Sequence, residues 1–213
     1  MIRGVGDAAP YKIQKEEKTM KLNLPNKLTV LRMIMIPFCM AAIIFPIFEG
    51  DVVWRIVAAA LFGLTALTDM LDGKIARKYN MITDFGKFLD PLADKMLIFG
   101  TMLAIGVRFR DNEIFSYVFV WATFIVILRE IAVTSLRMIA ASKSGTVIAA
   151  AWLGKVKTTT QMICMLTIIL EGLLPFETYL IPSYVTLAIM TFMTVWSGAD
   201  YFKVYFPLLD PNK

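Results

Sequence analysis

Long apolar runs separated by short polar links dominate the pattern of this chain. Six runs reach the roughly 20 residues that an α-helix needs to cross the hydrocarbon layer of a bilayer. The pattern therefore predicts an all-α integral membrane protein with six transmembrane helices, at residues 28–48, 52–73, 86–107, 114–138, 155–173 and 180–199. The inner link at 139–154 is the longest and contains a weakly apolar stretch that suits the membrane interface.

Polar residues of mixed charge fill positions 1–19, and the apolar pattern begins only after Met20. We interpret residues 1–19 as a tail that is disordered, lies on the surface or was added in cloning. Residues 20–213 are predicted to form a single membrane domain. A basic arm that touches anionic lipid headgroups is the alternative for the tail.

The positions of the positive charges predict the direction of the helices. If the N-terminus is cytoplasmic, only Arg55, Arg108 and Arg110 of the 22 lysines and arginines lie on the outer side. Because cytoplasmic loops carry an excess of Lys and Arg, the sequence predicts an N-in, C-in protein of the cytoplasmic membrane. This asymmetry accounts for the net charge of +5 without a nucleic-acid partner.

Composition narrows the possible chemistry. Hydrophobic residues make up 58% of the chain, and its mean hydropathy is +0.66, which exceeds the values of ordinary soluble domains. The chain has no histidine, which excludes histidine acid/base catalysis and the usual zinc sites. Cys39 and Cys164 fall within apolar runs and are predicted to be buried small hydrophobes rather than a disulfide or metal pair.

Four aspartates interrupt the apolar pattern where the second and third predicted helices meet: Asp69, Asp72, Asp90 and Asp94. An ionised Asp at the centre of a membrane helix costs about 2.5–3.5 kcal/mol, so four of them need a compensating partner. Spacings of three and four residues place each pair on one helix face. Since a short cytoplasmic link makes the two helices antiparallel neighbours, the four carboxylates are predicted to converge on one cytoplasmic site.

Four converging carboxylates suit two hard divalent cations, Mg²⁺ or Mn²⁺, bridged by shared ligands. Paired metal ions recur in phosphoryl chemistry, so the pattern predicts phosphate-bearing substrates. Gly73 and Ala76 leave the second helix bare for a close approach, and Arg77 offers a planar fork of donors. The alternative is that the aspartates only form interfacial salt bridges with neighbouring bases: Lys74, Arg77, Lys87 and Lys95.

These residues form the pattern D-x2-D-G-x2-A-R-x8-G-x3-D-x3-D, which runs from Asp69 to Asp94. The pattern resembles the CDP-alcohol phosphatidyltransferase family, and the resemblance extends from about Met20 to the WSGADYF segment. It implies the six-helix CDP-alcohol phosphotransferase fold, a cytoplasmic active site and a homodimer.

The resemblance also implies a role for each motif residue. Asp69 and Asp90 would bridge both metal ions, Asp72 would bind one, and Asp94 would bind the other and act as general base. A carboxylate beside two cations can still accept a proton from a hydroxyl that the same cations acidify. The implied contacts to the CDP-lipid are Asn26, Thr29, Asp69, Gly73, Arg77 and Thr83.

Two features of the pattern have structural alternatives. Asn26 and Thr29 are explained equally well as caps at the start of the first helix. Pro91 either opens the third helix or kinks it, and the sequence does not separate a first-turn proline from a kink.

Basic residues in the later helices indicate the acceptor. Arg129 and Arg137 lie about two helical turns apart on one face, and Lys155 opens the fifth helix. The segments REIAVTSLR and LGKVKT resemble those of family members that use glycerol 3-phosphate, so Arg129, Arg137 and Lys155 are predicted to bind the acceptor phosphate. The alternatives are a salt bridge for Arg129 and snorkelling to the interface for Lys157.

The expected reaction is transfer of a phosphatidyl group from CDP-diacylglycerol to sn-glycerol 3-phosphate, giving phosphatidylglycerophosphate and CMP. The nearest alternative is another acceptor alcohol, such as inositol phosphate, serine or phosphatidylglycerol. A divalent-cation transporter also places acids within helices, but its acids line a path across the membrane. Here the acids gather at one face, which favours the enzyme.

Overall fold

The computed structural model describes residues 23–45, 50–79, 83–144, 152–174 and 178–205, without the side chains of residues 69–78, 84, 87 and 141–144. The predicted tail at 1–19 and much of the inner link lie outside these residues. The described residues form six α-helices, and a 3-10 turn at Glu171–Leu173 follows the fifth. The helices are α1 (Leu24–Ile44), α2 (Asp51–Lys78), α3 (Asp84–Arg108), α4 (Glu113–Ser144), α5 (Trp152–Leu170) and α6 (Ile181–Tyr205). The all-α prediction is confirmed.

Side-chain caps explain where α3 and α4 begin. Thr83 has an extended backbone, and its hydroxyl accepts a 3.0 Å hydrogen bond from the backbone N–H of Gly86. Asn112 accepts a 3.1 Å hydrogen bond from the backbone N–H of Phe115 in the same way. Pro91 lies inside α3, well after its first turn, so the alternative that it opens this helix is wrong.

Polar side chains lie inside the bundle, and apolar side chains cover its surface. Gln161 and Thr194 are buried, whereas Phe38 and Trp121 are 65% and 68% exposed. An apolar exterior around a partly polar interior indicates contact with lipid. Four helical stretches of the described chain are long and apolar enough to cross a bilayer: Leu24–Ile44, Asp51–Thr68, Glu113–Ala140 and Ile181–Tyr205.

The other two helices, α3 and α5, carry charged residues in their first half. Asp90 and Asp94 lie in α3, and Lys155 and Lys157 lie in α5. These helices therefore bring the predicted chemistry into the bundle. The count of six membrane-crossing helices and the N-in, C-in topology stay predictions.

Packing divides the helices into two groups of neighbours. α1 packs along both α2 and α3, while α6 packs along both α4 and α5. α2 and α3 touch, as their short link predicts, but their direct contact is much smaller than the contact of either with α1. The core between the helices contains Cys39 and Cys164, which are fully buried as predicted.

Candidate active site

A cavity of about 930 Å³ opens between α2, α3, α4 and α5. Its wall includes two aspartates of the motif and all three bases predicted for the acceptor: Asp90, Asp94, Arg129, Arg137 and Lys155. Two other hollows, of about 420 and 620 Å³, are lined mainly by apolar residues and by no carboxylate. The larger cavity therefore has the chemistry that the sequence predicts for the active site.

Asp90 and Asp94 lie one helical turn apart on α3, and both line the cavity. The prediction that this pair shares one helix face is confirmed. Asp90 is exposed and Asp94 is half-buried. The hydroxyl of Thr29 in α1 donates a 2.9 Å hydrogen bond to Oδ1 of Asp90. One predicted metal ligand is therefore oriented by a residue from another helix.

The donor set of the described part of the site fits a divalent metal. Asp90 and Asp94 offer hard carboxylate oxygens one turn apart, open to the cavity. Asp69 and Asp72 belong to the C-terminal part of α2, but their side chains are not described. Among described side chains there is no group of three or more acidic or cysteine residues that could hold an ion. The convergence of four carboxylates stays a prediction.

Asn26 and Thr83 join α1 to the start of α3. Nδ2 of Asn26 donates a 2.9 Å hydrogen bond to the Thr83 hydroxyl. A Cβ atom at Gly86 would lie only 2.9 Å from Oδ1 of Asn26, closer than real Cβ contacts. Glycine at this motif position therefore lets the Asn26 side chain reach α3.

Capping of α1 does not explain Asn26 and Thr29. The N-cap of α1 is Asn23, and its side chain makes no capping hydrogen bond. Asn26 and Thr29 lie within α1, past its N-cap, and both are buried. They hydrogen-bond to Thr83 and Asp90 respectively. The capping alternative is wrong, and no sequence signal identified these partners. The other predicted contacts to the CDP-lipid, Asp69, Gly73 and Arg77, lie on α2 where side chains are not described.

Lys155 and Arg137 present exposed cationic side chains to the cavity. The Lys155 ammonium has no hydrogen-bonding or ion-pair partner among the described residues. Nη2 of Arg137 donates a 3.0 Å hydrogen bond to the hydroxyl of Tyr201, and the guanidinium lies 4.9 Å from the centre of the Tyr201 ring. Since neither cation is paired with a described carboxylate, both keep charge available for an anion.

Arg129 also lines the cavity, and both of its terminal nitrogens donate hydrogen bonds, whereas its buried Nε has no hydrogen-bond partner among the described residues. It is 7% exposed, and Nη1 donates a 2.9 Å hydrogen bond to Oε1 of Glu130. Nη2 donates a 2.6 Å hydrogen bond to the hydroxyl of Ser197 in α6. The salt bridge weighed as an alternative for Arg129 is therefore present.

Lys157 is buried and pairs with Oε1 of Glu130, so the snorkelling alternative is wrong. Lys95 donates a 2.7 Å hydrogen bond to the hydroxyl of Thr134, and it forms no ion pair with an aspartate whose side chain is described. Sequence reasoning missed Ser197, Tyr201 and Thr134. The sequence did place Glu130 directly beside Arg129, which indicated that these two side chains could form an ion pair.

Comparison with known proteins assigns this arrangement to a family. The family model described as CDP-alcohol phosphatidyltransferase matches residues 22–196, which include the whole motif and every residue that lines the cavity. The chain belongs to the CDP-alcohol phosphatidyltransferase family. Its family and its apolar helices make it a multi-pass membrane protein.

Similar proteins match this CDP-alcohol phosphatidyltransferase over most of its length. The CDP-diacylglycerol--glycerol-3-phosphate 3-phosphatidyltransferase of Bacillus subtilis is 39% identical over 85% of this chain and 94% of its own. The protein of the same name from Haemophilus influenzae is 36% identical over 87% and 94%. A probable phosphatidylglycerophosphate synthase of Mycobacterium tuberculosis is 37% identical over 84% and 79%.

Proposed function

We propose that this protein transfers the phosphatidyl group of CDP-diacylglycerol to the 1-hydroxyl of sn-glycerol 3-phosphate, giving phosphatidylglycerophosphate and CMP. One observation carries the proposal: Asp90 and Asp94 of the family motif share a cavity with Arg137 and Lys155. A carboxylate pair beside cations suits a reaction between a diphosphate donor and an alcohol that carries a phosphate. The names of the similar proteins support the same substrates.

Members of the family are generally dependent on divalent cations. In our proposal Asp69, Asp72, Asp90 and Asp94 would hold two Mg²⁺ or Mn²⁺ ions, with Asp69 and Asp90 shared by both ions and Asp72 and Asp94 each serving one. When bound, such ions neutralise the diphosphate and the departing CMP. The hydrogen bond from Thr29 supports this assignment because it restricts the orientation of Asp90.

Asp94 is proposed as the general base. It is half-buried on the cavity wall, and no histidine exists in the chain to take this role. Its carboxylate accepts the proton of the acceptor hydroxyl as that oxygen attacks the β-phosphorus in line. The bond between the β-phosphorus and the bridging oxygen breaks, and CMP leaves with the electron pair.

The phosphate of the acceptor is proposed to bind to Arg137 and Lys155, whose charges are open to the cavity. Arg129, held by Glu130 and Ser197, contributes chiefly to the shape and field of the wall. A charge-assisted contact to phosphate is shorter and stronger than a neutral one. An acceptor without a phosphate would leave these cations without an anion.

The CDP-lipid is proposed to lie beside the cavity, at the junction of α1, α2 and the start of α3. Asn26, Thr29 and Thr83 lie at this junction. Asp69, Gly73 and Arg77 would complete the contact from α2. We further propose an N-in, C-in homodimer of the cytoplasmic membrane whose active site faces the cytoplasm.

Product identification tests the function. The purified protein is incubated with Mg²⁺ or Mn²⁺, CDP-diacylglycerol and one alcohol from a panel: glycerol 3-phosphate, inositol phosphate, serine or phosphatidylglycerol. We expect CMP release and formation of phosphatidylglycerophosphate with glycerol 3-phosphate alone, as identified by mass spectrometry of the lipid. A different lipid product would refute the acceptor, and no CMP release with any alcohol would refute the transferase.

A further inference from the structure

Glu130 binds two cations with a single carboxylate oxygen. Its Oε1 accepts a 2.9 Å hydrogen bond from Nη1 of Arg129 in α4 and a second hydrogen bond from Nζ of Lys157 in α5. The three side chains are 8–12% exposed, so the group is buried at the wall of the cavity. The function proposed above gives Glu130 no contact with either substrate.

Further bonds connect this group to the neighbouring helices. Nη2 of Arg129 bonds to Ser197, which ties α4 to α6. The hydroxyl of Thr134 donates a 2.7 Å hydrogen bond to the backbone oxygen of Glu130 and accepts one from Lys95 of α3. The Glu130 segment therefore lies where α3, α4, α5 and α6 are held together.

The ion pair between Glu130 and Lys157 also restrains the start of α5. This helix begins at Trp152, so Lys155 lies in its first turn and Lys157 lies in its second turn. Because a buried charge without a partner is costly, the Lys157 ammonium is restrained to a position beside the Glu130 carboxylate. Restraining Lys157 fixes the backbone that carries Lys155.

The carboxylate thus separates the cations of the cavity into two kinds. Arg129 and Lys157 are buried and paired with Glu130. Arg137 and Lys155 are exposed to the cavity, and the described residues include no carboxylate paired with either. The second kind can approach an anion without first breaking an ion pair with a described carboxylate.

We propose that Glu130 is a positioning residue of the acceptor site. By pairing with Arg129 and Lys157 it fixes the start of α5 and leaves Arg137 and Lys155 to bind the phosphate of the acceptor. This inference rests on the proposed function.

Glu130→Gln tests the proposal, because it keeps the size of the side chain and removes its charge. The KM for glycerol 3-phosphate should rise about 10-fold or more. The Ki of inorganic phosphate, used as a competitor of glycerol 3-phosphate, should rise in parallel. The KM for CDP-diacylglycerol and the kcat at saturating acceptor should stay close to those of the wild type. Glu113→Gln, on the same helix at its exposed start, is the matched control.

The direction of the change separates positioning from a simple effect of charge. Loss of a carboxylate makes the cavity more positive, which by itself would tighten phosphate binding and lower both constants. A rise in both constants therefore supports positioning. A fall, no change, or an equal loss for both substrates in folded protein overturns the proposal.

The double variant Glu130→Gln/Lys157→Met gives a second test. It removes the buried ammonium together with its partner, so its KM for glycerol 3-phosphate should be lower than that of Glu130→Gln alone. If the KM increase of the double variant equals the product of the increases of the two single variants, the proposal is contradicted. If Glu130→Gln does not fold, Lys157→Met alone should raise the same two constants, and unchanged constants overturn the proposal.

Failure of the inference differs from failure of the proposed function. If the wild type makes phosphatidylglycerophosphate but the variants keep its constants, only the role of Glu130 is wrong. If the wild type uses another alcohol instead, the proposed acceptor is wrong, whatever the variants do.

Discussion

The hydroxyl of Thr29 in α1 donates a 2.9 Å hydrogen bond to Oδ1 of Asp90 in α3. Thr29 is buried, whereas Asp90 opens to the cavity. A buried donor that holds one oxygen of a carboxylate restricts its orientation, and for Asp90 this carboxylate is a proposed metal ligand. The first helix thus contributes to the site although none of the four motif aspartates lies in it.

Thr29→Val should weaken metal activation because the isosteric side chain cannot donate to Asp90. Loss of such a supporting hydrogen bond typically lowers metal affinity or activity about 10- to 100-fold. The measurement is the initial rate of CMP release as a function of Mn²⁺ concentration, where the curve should shift to higher metal. Thr167→Val is the control, since its hydroxyl donates to the backbone oxygen of Ile163 within α5. An unchanged metal curve for Thr29→Val would refute a supporting role.

Asp69→Asn and Asp90→Asn should each abolish turnover. A neutral amide cannot bridge two cations and leaves their charge uncompensated. The measurement is CMP release across titrations of Mg²⁺ and Mn²⁺. Asp111→Asn, in the exposed link before α4, should retain activity. Near-wild-type activity of either bridging variant would contradict the dinuclear site.

Asp94→Asn should retain binding of CDP-diacylglycerol better than it retains catalysis. The variant loses the proposed base but only part of the ligand set of one metal. Equilibrium binding of the CDP-lipid and single-turnover transfer give the two quantities separately. If affinity and rate fall by the same factor, Asp94 is a ligand without a role in proton transfer.

Arg137→Ala and Lys155→Ala should raise the KM for glycerol 3-phosphate far more than the KM for CDP-diacylglycerol. Each charge-assisted contact to phosphate is worth about 1.5–3 kcal/mol, which corresponds to roughly 10- to 150-fold. Steady-state kinetics with each substrate varied in turn provide the measurement. Lys203→Ala, exposed near the end of α6, is the control.

Arg129→Ala offers a structural comparison for these two variants. Because Arg129 is buried between Glu130 and Ser197, its loss should lower the thermal-unfolding temperature in detergent as well as the activity.

For the folded variants Arg137→Ala and Lys155→Ala, a change confined to the KM for CDP-diacylglycerol would contradict the proposed acceptor site.

The sequence predicted the helices and the shared face of Asp90 and Asp94 because both depend on the local spacing of residues. Apolar runs set the six helices, and the step from Asp90 to Asp94 placed both carboxylates on one face of α3. The burial of Cys39 and Cys164 followed from their apolar surroundings. The positions of Arg137 and Lys155 in later helices indicated an acceptor with a phosphate.

Only the tertiary structure decided which side chains meet across helices. Asn26 and Thr29 had an equally good local explanation as caps, until the packing of α1 against α3 gave them Thr83 and Asp90 as partners. Arg129 and Arg137 are equivalent by spacing, yet one is paired with Glu130 and the other is open to the cavity. Helical periodicity fixes the face of a residue within its own helix. The residues that meet that face depend on how neighbouring helices pack, and a local sequence pattern does not contain this information.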